Sequence, residues 1–307
     1  MDIFLQQIIN GLVQGSVYAL VALGYTMVYG ILGLINFAHG EVVMVGAMVA
    51  LTVLQTLLAA AFSPVIAVLL SLMVAVVACM ALGYGIERIA YRPLRNAPRL
   101  APLITAIGVS IVLQNLAMMI WGREYHPFPM PFANELHTLG GAIITSVQIA
   151  IVLIALLMMV GLMLLVHRTR LGRAMRAVAE NPSSAMLMGV DTNRVISATF
   201  MLGSALAAVA GFMVSANYGI VHYYMGFMLG LKAFTAAVLG GIGNLRGAML
   251  GGVVLGLIES LGAGYIGDLT GGFLGSNYQD VFAFFVLIAV LVFRPSGLLG
   301  ERVAERA

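Results

Sequence analysis

Charge is what this sequence has least of. Asp, Glu, Lys and Arg together make up 9% of its 307 residues, against roughly 25% in an average soluble chain. With 62% hydrophobic residues and a mean hydropathy of +1.05, a soluble globular domain is excluded. Lysine is nearly absent as well. The single lysine, Lys232, precedes Ala233, so the chain has no G-x-x-x-x-G-K-[ST] loop and does not bind ATP by that route. Cysteine is down to Cys79, inside an apolar run, which leaves no disulfide framework and no thiolate metal site. There is no H-E-x-x-H pair, no G-x-S-x-G elbow, and no Gly-bracketed Ser or paired Asp of the kind an intramembrane protease needs. No catalytic and no metal residues are assigned. A basic n-region ahead of the first apolar run is missing too, so no cleaved leader is expected.

What is present is hydrocarbon-compatible sequence. The length accommodates about eight or nine segments of ~20 residues, and the expected fold class is an all-α polytopic membrane protein, a single transmembrane domain over 1–307. Apolar runs are expected at Phe4–Tyr29, Val42–Ala60, Ser63–Gly85, Ala101–Trp121, Thr145–Val166, Val195–Ser215, Gly226–Gly240, Ala248–Ile266 and Val281–Phe293. The Gly226–Gly240 run is too short to span comfortably, so the number of true crossings stays open. The 36 glycines suit close helix packing.

The net charge of +3 does not indicate nucleic acid, because arginines supply it from loops between spans. Such loops stay cytoplasmic. Glu87–Arg99 has four arginines, and Arg302 and Arg306 place the C-terminus on the same side. The 122–140 and 267–280 segments, poor in basic residues, belong outside. The longest polar break runs from His167 to Arg194. Within it, Asn181-Pro182-Ser183-Ser184 reads as a helix start, followed by a short helix of small and apolar residues over Ala185–Val190, closed by Gly189 and Asp191. An apolar helix outside the membrane needs a cover: a cytoplasmic partner, its own bundle, or the lipid interface.

Two Gly-rich breaks share a pattern. Leu32-Gly33-x-Ile35-x4-Gly40 recurs as Leu239-Gly240-x-Ile242-x4-Gly247, with His39 and Arg246 at matching places. Gly-interrupted segments in corresponding positions of two halves point to a pathway built from broken helices. Asn36, His39 and Glu41 lie in the first break, as a polar lining or gate, or as an inexpensive interfacial loop. Glu259 lies inside a span, where pairing with a neighbouring helix is expected. Lys232 is expected to snorkel to the outer interface.

The stretches Gly24-Tyr25-Thr26-Met27-Val28-Tyr29-Gly30, Ile35-Asn36-Phe37-Ala38-His39-Gly40-Glu41, Glu87-Arg88-x-Ala90-Tyr91-Arg92-Pro93, Arg173-Ala174-x-Arg176-Ala177 and Lys232-Ala233-Phe234-Thr235-Ala236-Ala237-Val238-Leu239-Gly240-Gly241-Ile242-Gly243 closely resemble the permease subunits of branched-chain amino acid ABC importers, in particular the H-type subunit. That resemblance covers nearly the whole chain. It implies a multi-pass protein of the bacterial inner membrane, paired with a second related permease and two cytoplasmic ATPases, and supplied by a periplasmic binding protein. ATP and Mg would sit on the ATPases, with no cofactor on this chain. The Glu180-x4-Ala185-x3-Gly189 spacing is similar to the loop by which ABC importer permeases contact their ATPases, although the Leu-Pro ending is replaced by Val195-Ile196-Ser197. The implied coupling residues in the 167–194 loop are Arg173, Arg176, Glu180, Asn181, Ala185, Met188 and Gly189. Pathway candidates are Asn36, Phe37, His39, Glu41, Gly240 and Gly243. The competing readings are a stand-alone ion-coupled transporter using His39, Glu41 and Glu259, and a structural membrane subunit with no pathway.

Overall fold

The computed structural model describes residues 2–300 except 96, 99, 272–277 and 295. Arg99, Arg302 and Arg306, used above to assign sides, lie outside the described residues. Among the described residues eleven α-helices follow one another: α1 Asp2–Leu32, α2 His39–Ala59, α3 Pro64–Ile86, α4 Leu100–Trp121, α5 Ser146–Arg168, α6 Arg170–Glu180, α7 Pro182–Leu187, α8 Thr192–Tyr218, α9 Met225–Gly240, α10 Leu245–Leu269 and α11 Gln279–Phe293. Seven are long and apolar enough to cross a membrane, and two shorter apolar helices, Met225–Gly240 and Phe284–Phe293, accompany them. Helices dominate because a backbone in hydrocarbon must satisfy its own hydrogen bonds. The chain is a polytopic all-α membrane protein.

The chain divides into two compact units. One comprises residues 27–133 and 160–231. Its centre is α2 packed between α3 and α8 at backbone distance. A Cβ on Gly46 would sit 2.7 Å from the Ala208 Cα, and a Cβ on Gly211 would strike the Val43 carbonyl. The Cys79 thiol lies 3.5 Å from the Val42 carbonyl oxygen. The outward faces of α3 and α4 carry exposed Leu69, Val77, Ile104 and Ile111, as expected where the surrounding solvent is lipid. The other unit comprises residues 1–26, 134–159 and 232–307. In it α1 and α10 approach through Gly11, Gly15, Gly252 and Gly256, and a Cβ on Gly11 would lie 2.8 Å from the Leu257 Cα.

Sequence reading missed three features. The 122–145 segment carries short strands: β1 His126–Pro127 pairs with β4 Ile220–Val221, and β2 Leu136–Leu139 with β3 Ala142–Thr145. α6 was hidden in the polar loop. After α3 the chain does not become an open loop but continues as a π turn over Glu87–Tyr91 and a 3₁₀ turn over Arg92–Leu94.

His222, between α8 and α9, packs edge-on against the Tyr125 ring with centroids 4.6 Å apart, and beside Tyr223. Its Nδ1 accepts a hydrogen bond from the Tyr224 amide at 3.0 Å. Burial holds its pKa below the ordinary histidine value. The folded segment therefore favours the neutral ring. Its stabilisation is complete above the unfolded value of about 6.5 and is lost as pH falls from there toward the depressed folded value. Hydrogen exchange over 219–227, corrected for intrinsic rates, should accelerate between about pH 7.5 and about pH 5. The acceleration should vanish in His222→Phe.

Candidate functional site

The polar loop is built from local capping. Thr169 opens α6, its hydroxyl accepting from the Gly172 amide at 3.1 Å. Gly172, Met175 and Val178 are buried. Arg176 donates to the Val166 carbonyl, and Arg173 reaches the Arg168 carbonyl at 3.5 Å. Both arginines thus turn back onto carbonyls left open at the end of α5, where cations are favoured. Glu180, the last residue of α6, is exposed.

Asn181 caps α7, its Oδ1 accepting from the Ser184 amide at 2.9 Å, and Pro182 fills the first helical position. The helix ends at Leu187, short of the Val190 expected from sequence. Val190 N–H bonds the Ala185 carbonyl and Gly189 N–H the Met186 carbonyl, each at 3.0 Å, a Schellman closure with Gly189 at φ +82°. Ala185 is buried, while Met186, Leu187 and Met188 are 55%, 88% and 85% exposed. An apolar face is therefore left uncovered. Asp191 at once caps α8 by accepting from the Arg194 amide.

Behind α7 lies a groove of about 800 Å³ whose walls include Leu34, Arg92, Arg95, Met186, Asn193 and Ile196. Glu87, wholly buried, is held there by Arg92 at 2.9 Å, by Arg95, and by the Ser197 hydroxyl at 2.7 Å. Arg95 also donates to Asn193 at 2.6 Å. One π turn further on, the buried Tyr91 hydroxyl donates to Asn36 Oδ1 at 2.8 Å. None of Glu87, Arg95, Asn193 and Ser197 was given a role from sequence: Glu87 and Arg92 served only as part of a family-like motif and the arginines as markers of sidedness, whereas the one acid among them was the usable signal.

Asn36 sits in the break between α1 and α2, which Gly33 enters at φ +64°. Asn36, His39 and Glu41 are 4%, 2% and 1% exposed, enclosed by the protein itself. Phe37 is half-buried. Glu41 accepts from Gln114 at 2.7 Å and Ser110 at 3.2 Å. Its Oε2 has no hydrogen-bonding partner among the described residues and faces Gly226, where a Cβ would come within 2.8 Å.

In the other unit, the break between α9 and α10 is shorter, four residues against six, with Gly241 at φ +107° and Gly243 at +95°. Here the chain closes on itself. Asn244 Oδ1 accepts from the Arg246 and Gly247 amides. The Leu298 and Leu299 amides donate to the Leu239 and Gly240 carbonyls, each at 2.9 Å. Gly240 is buried against Gly247, while Gly243 is exposed. The matching pair differ in environment, with His39 buried and Arg246 exposed.

A protein-family model described as branched-chain amino acid transport system / permease component matches residues 7–291. The chain belongs to that family. It is 47% identical to the high-affinity branched-chain amino acid transport system permease protein BraD of Pseudomonas aeruginosa, over 99% of this chain and 98% of the relative. To the LivH permease of Escherichia coli K12 it is 45% identical, over 99% and 97%. A probable LivH of Methanocaldococcus jannaschii is 30% identical over 97% and 94%. No solved structure matches.

The permease corrects one expectation about charge. Lys232 does not snorkel. It is 12% exposed, with Nζ 2.9 Å from Glu259 Oε1 and 2.7 Å from Asp280 Oδ1. Glu259, fully buried, also accepts from the Tyr18 hydroxyl at 2.6 Å. This is the helix-to-helix pairing expected of Glu259, with the lysine as its unrecognised partner.

Proposed function

We propose that the permease is the H-type membrane subunit of an ATP-driven importer of leucine, isoleucine and valine, a single permease domain working beside a second related permease. Two cytoplasmic ATPases hold ATP and Mg and do the hydrolysis, and a periplasmic binding protein delivers the substrate. The protein resides in the bacterial inner membrane with its C-terminus cytoplasmic, as the arginine distribution favours. The observation that carries this reading is α7: a well-capped helix on a basic loop, with Met186, Leu187 and Met188 uncovered.

A stand-alone transporter has no use for such a surface. In the importer, the ATPases grip α7 and bias the pathway between its two access states, which requires different affinities for the two. Asn36, Phe37, His39 and Glu41 at one break and Gly240 and Gly243 at the other are assigned to that pathway. Substrate choice rests mainly with the binding protein.

The test is uptake of radiolabelled leucine by proteoliposomes holding both permeases, with the binding protein outside the receiving face. Uptake should require the ATPases and ATP and should survive a proton ionophore. Uptake without the ATPases that collapses with the ionophore would replace this reading with the ion-coupled one.

A further inference from the structure

Resting on the importer reading, we propose that Glu87, Tyr91 and Ser197 are positioning residues that link α7 to the helix break at Asn36. The connection is short at every step. Only four residues separate α7 from α8, and the Schellman closure and the Asp191 cap order all of them. Asn193 and Ser197, four apart on α8, share a face and meet Arg95 and Glu87.

Glu87 is a fully buried carboxylate, and pulling it from its arginines would strand a charge. What ties the start of α8 to this ion cluster at the end of α3, so that the two shift together, is the Ser197 hydroxyl on Glu87 and Arg92 and the Asn193 side chain on Arg95. The π turn places Glu87 and Tyr91 both inward, and π turns of this kind recur at functional sites. Tyr91 is wedged against the Phe200 ring of α8, centroids 5.4 Å apart, while its hydroxyl grips Asn36. A displacement at α7 thus reaches the segment that carries His39 and Glu41 through the α8 contacts of Arg95, Glu87 and Tyr91 and the Tyr91–Asn36 hydrogen bond, all within one compact unit.

The test uses the full importer in proteoliposomes and reads leucine uptake and ATP hydrolysis together. Tyr91→Phe and Ser197→Ala each remove one hydroxyl, and Glu87→Gln removes the charge. Leucine carried per ATP should fall at least about fivefold in each, with the thermal midpoint and subunit assembly of the two hydroxyl variants preserved. Tyr91→Phe combined with Ser197→Ala should be little worse than either alone, because both interrupt one linkage. If Glu87→Gln does not fold, the hydroxyl variants decide.

An unchanged uptake-to-hydrolysis ratio in both hydroxyl variants overturns the linkage, as do two losses that simply multiply. Failure of the importer reading shows separately, as wild-type uptake that needs no ATP.

Discussion

Leu187→Asp abolishes ATP-driven leucine uptake without unfolding the permease. The side chain is 88% exposed, so the substitution changes stability by no more than about 0.5 kcal/mol. If α7 docks the ATPases as proposed, the same position becomes a desolvated apolar contact in the assembled importer. A carboxylate there costs at least about 2 kcal/mol, roughly thirtyfold in affinity. Co-purification of the ATPases should fail in parallel with uptake, while the thermal midpoint of the isolated permease stays put. Gly189→Arg is a poorer probe: Gly189 holds φ +82° with open space around it, so a side chain there strains the backbone as well as blocking the surface. If Leu187→Asp retains both ATPases and uptake, α7 is not the docking element.

Glu259→Leu destabilises the permease by about 3 kcal/mol, because it strands most of a buried positive charge. Lys232 keeps Asp280, which is 31% exposed, and the face of the Tyr18 ring at 5.9 Å, while the Tyr18 hydroxyl loses the Glu259 carboxylate. Adding Lys232→Met should recover at least half of the loss, since a buried pair replaced by apolar side chains of similar volume is often neutral. Thermal melts in detergent of the two singles and the double measure the coupling. Strict additivity of the losses would mean that the pair contributes packing and no electrostatics.

The helices were legible because a bilayer demands long apolar runs and the punctuation is strong. Ser63-Pro64 marks the start of α3 and Trp121 the end of α4 to within a residue or two. The α7 start was readable from Asn181-Pro182, since capping is local chemistry. Its end was not, because Met188 is as apolar as the helix before it and the closing bonds depend on the φ of Gly189.

α6 escaped notice because its three buried residues, Gly172, Met175 and Val178, are interleaved with three arginines, two of which cap a neighbour. The ion clusters lay further out of reach. Lys232, Glu259 and Asp280 stand on three different helices. Only tertiary packing brings them together, and snorkelling was the reasonable expectation for a lone lysine. At the first break, sequence located Asn36, His39 and Glu41 but not their depth, which Tyr91, Ser110 and Gln114 from distant segments create.

The π turn at Glu87–Tyr91 has a consequence for how this chain tolerates changes of length. A π turn holds one residue more than an α turn, and each residue rotates a helix by about 100°. The extra residue is taken up at almost no change of angle, so removing one residue there would let the turn relax into regular helix with Tyr91 and both arginines still facing their partners, whereas a deletion that left the π turn in place would swing them by about 100°. A one-residue deletion is therefore borne inside this turn and not in the regular helix before it, while the identities of Glu87 and Tyr91 remain fixed by their partners.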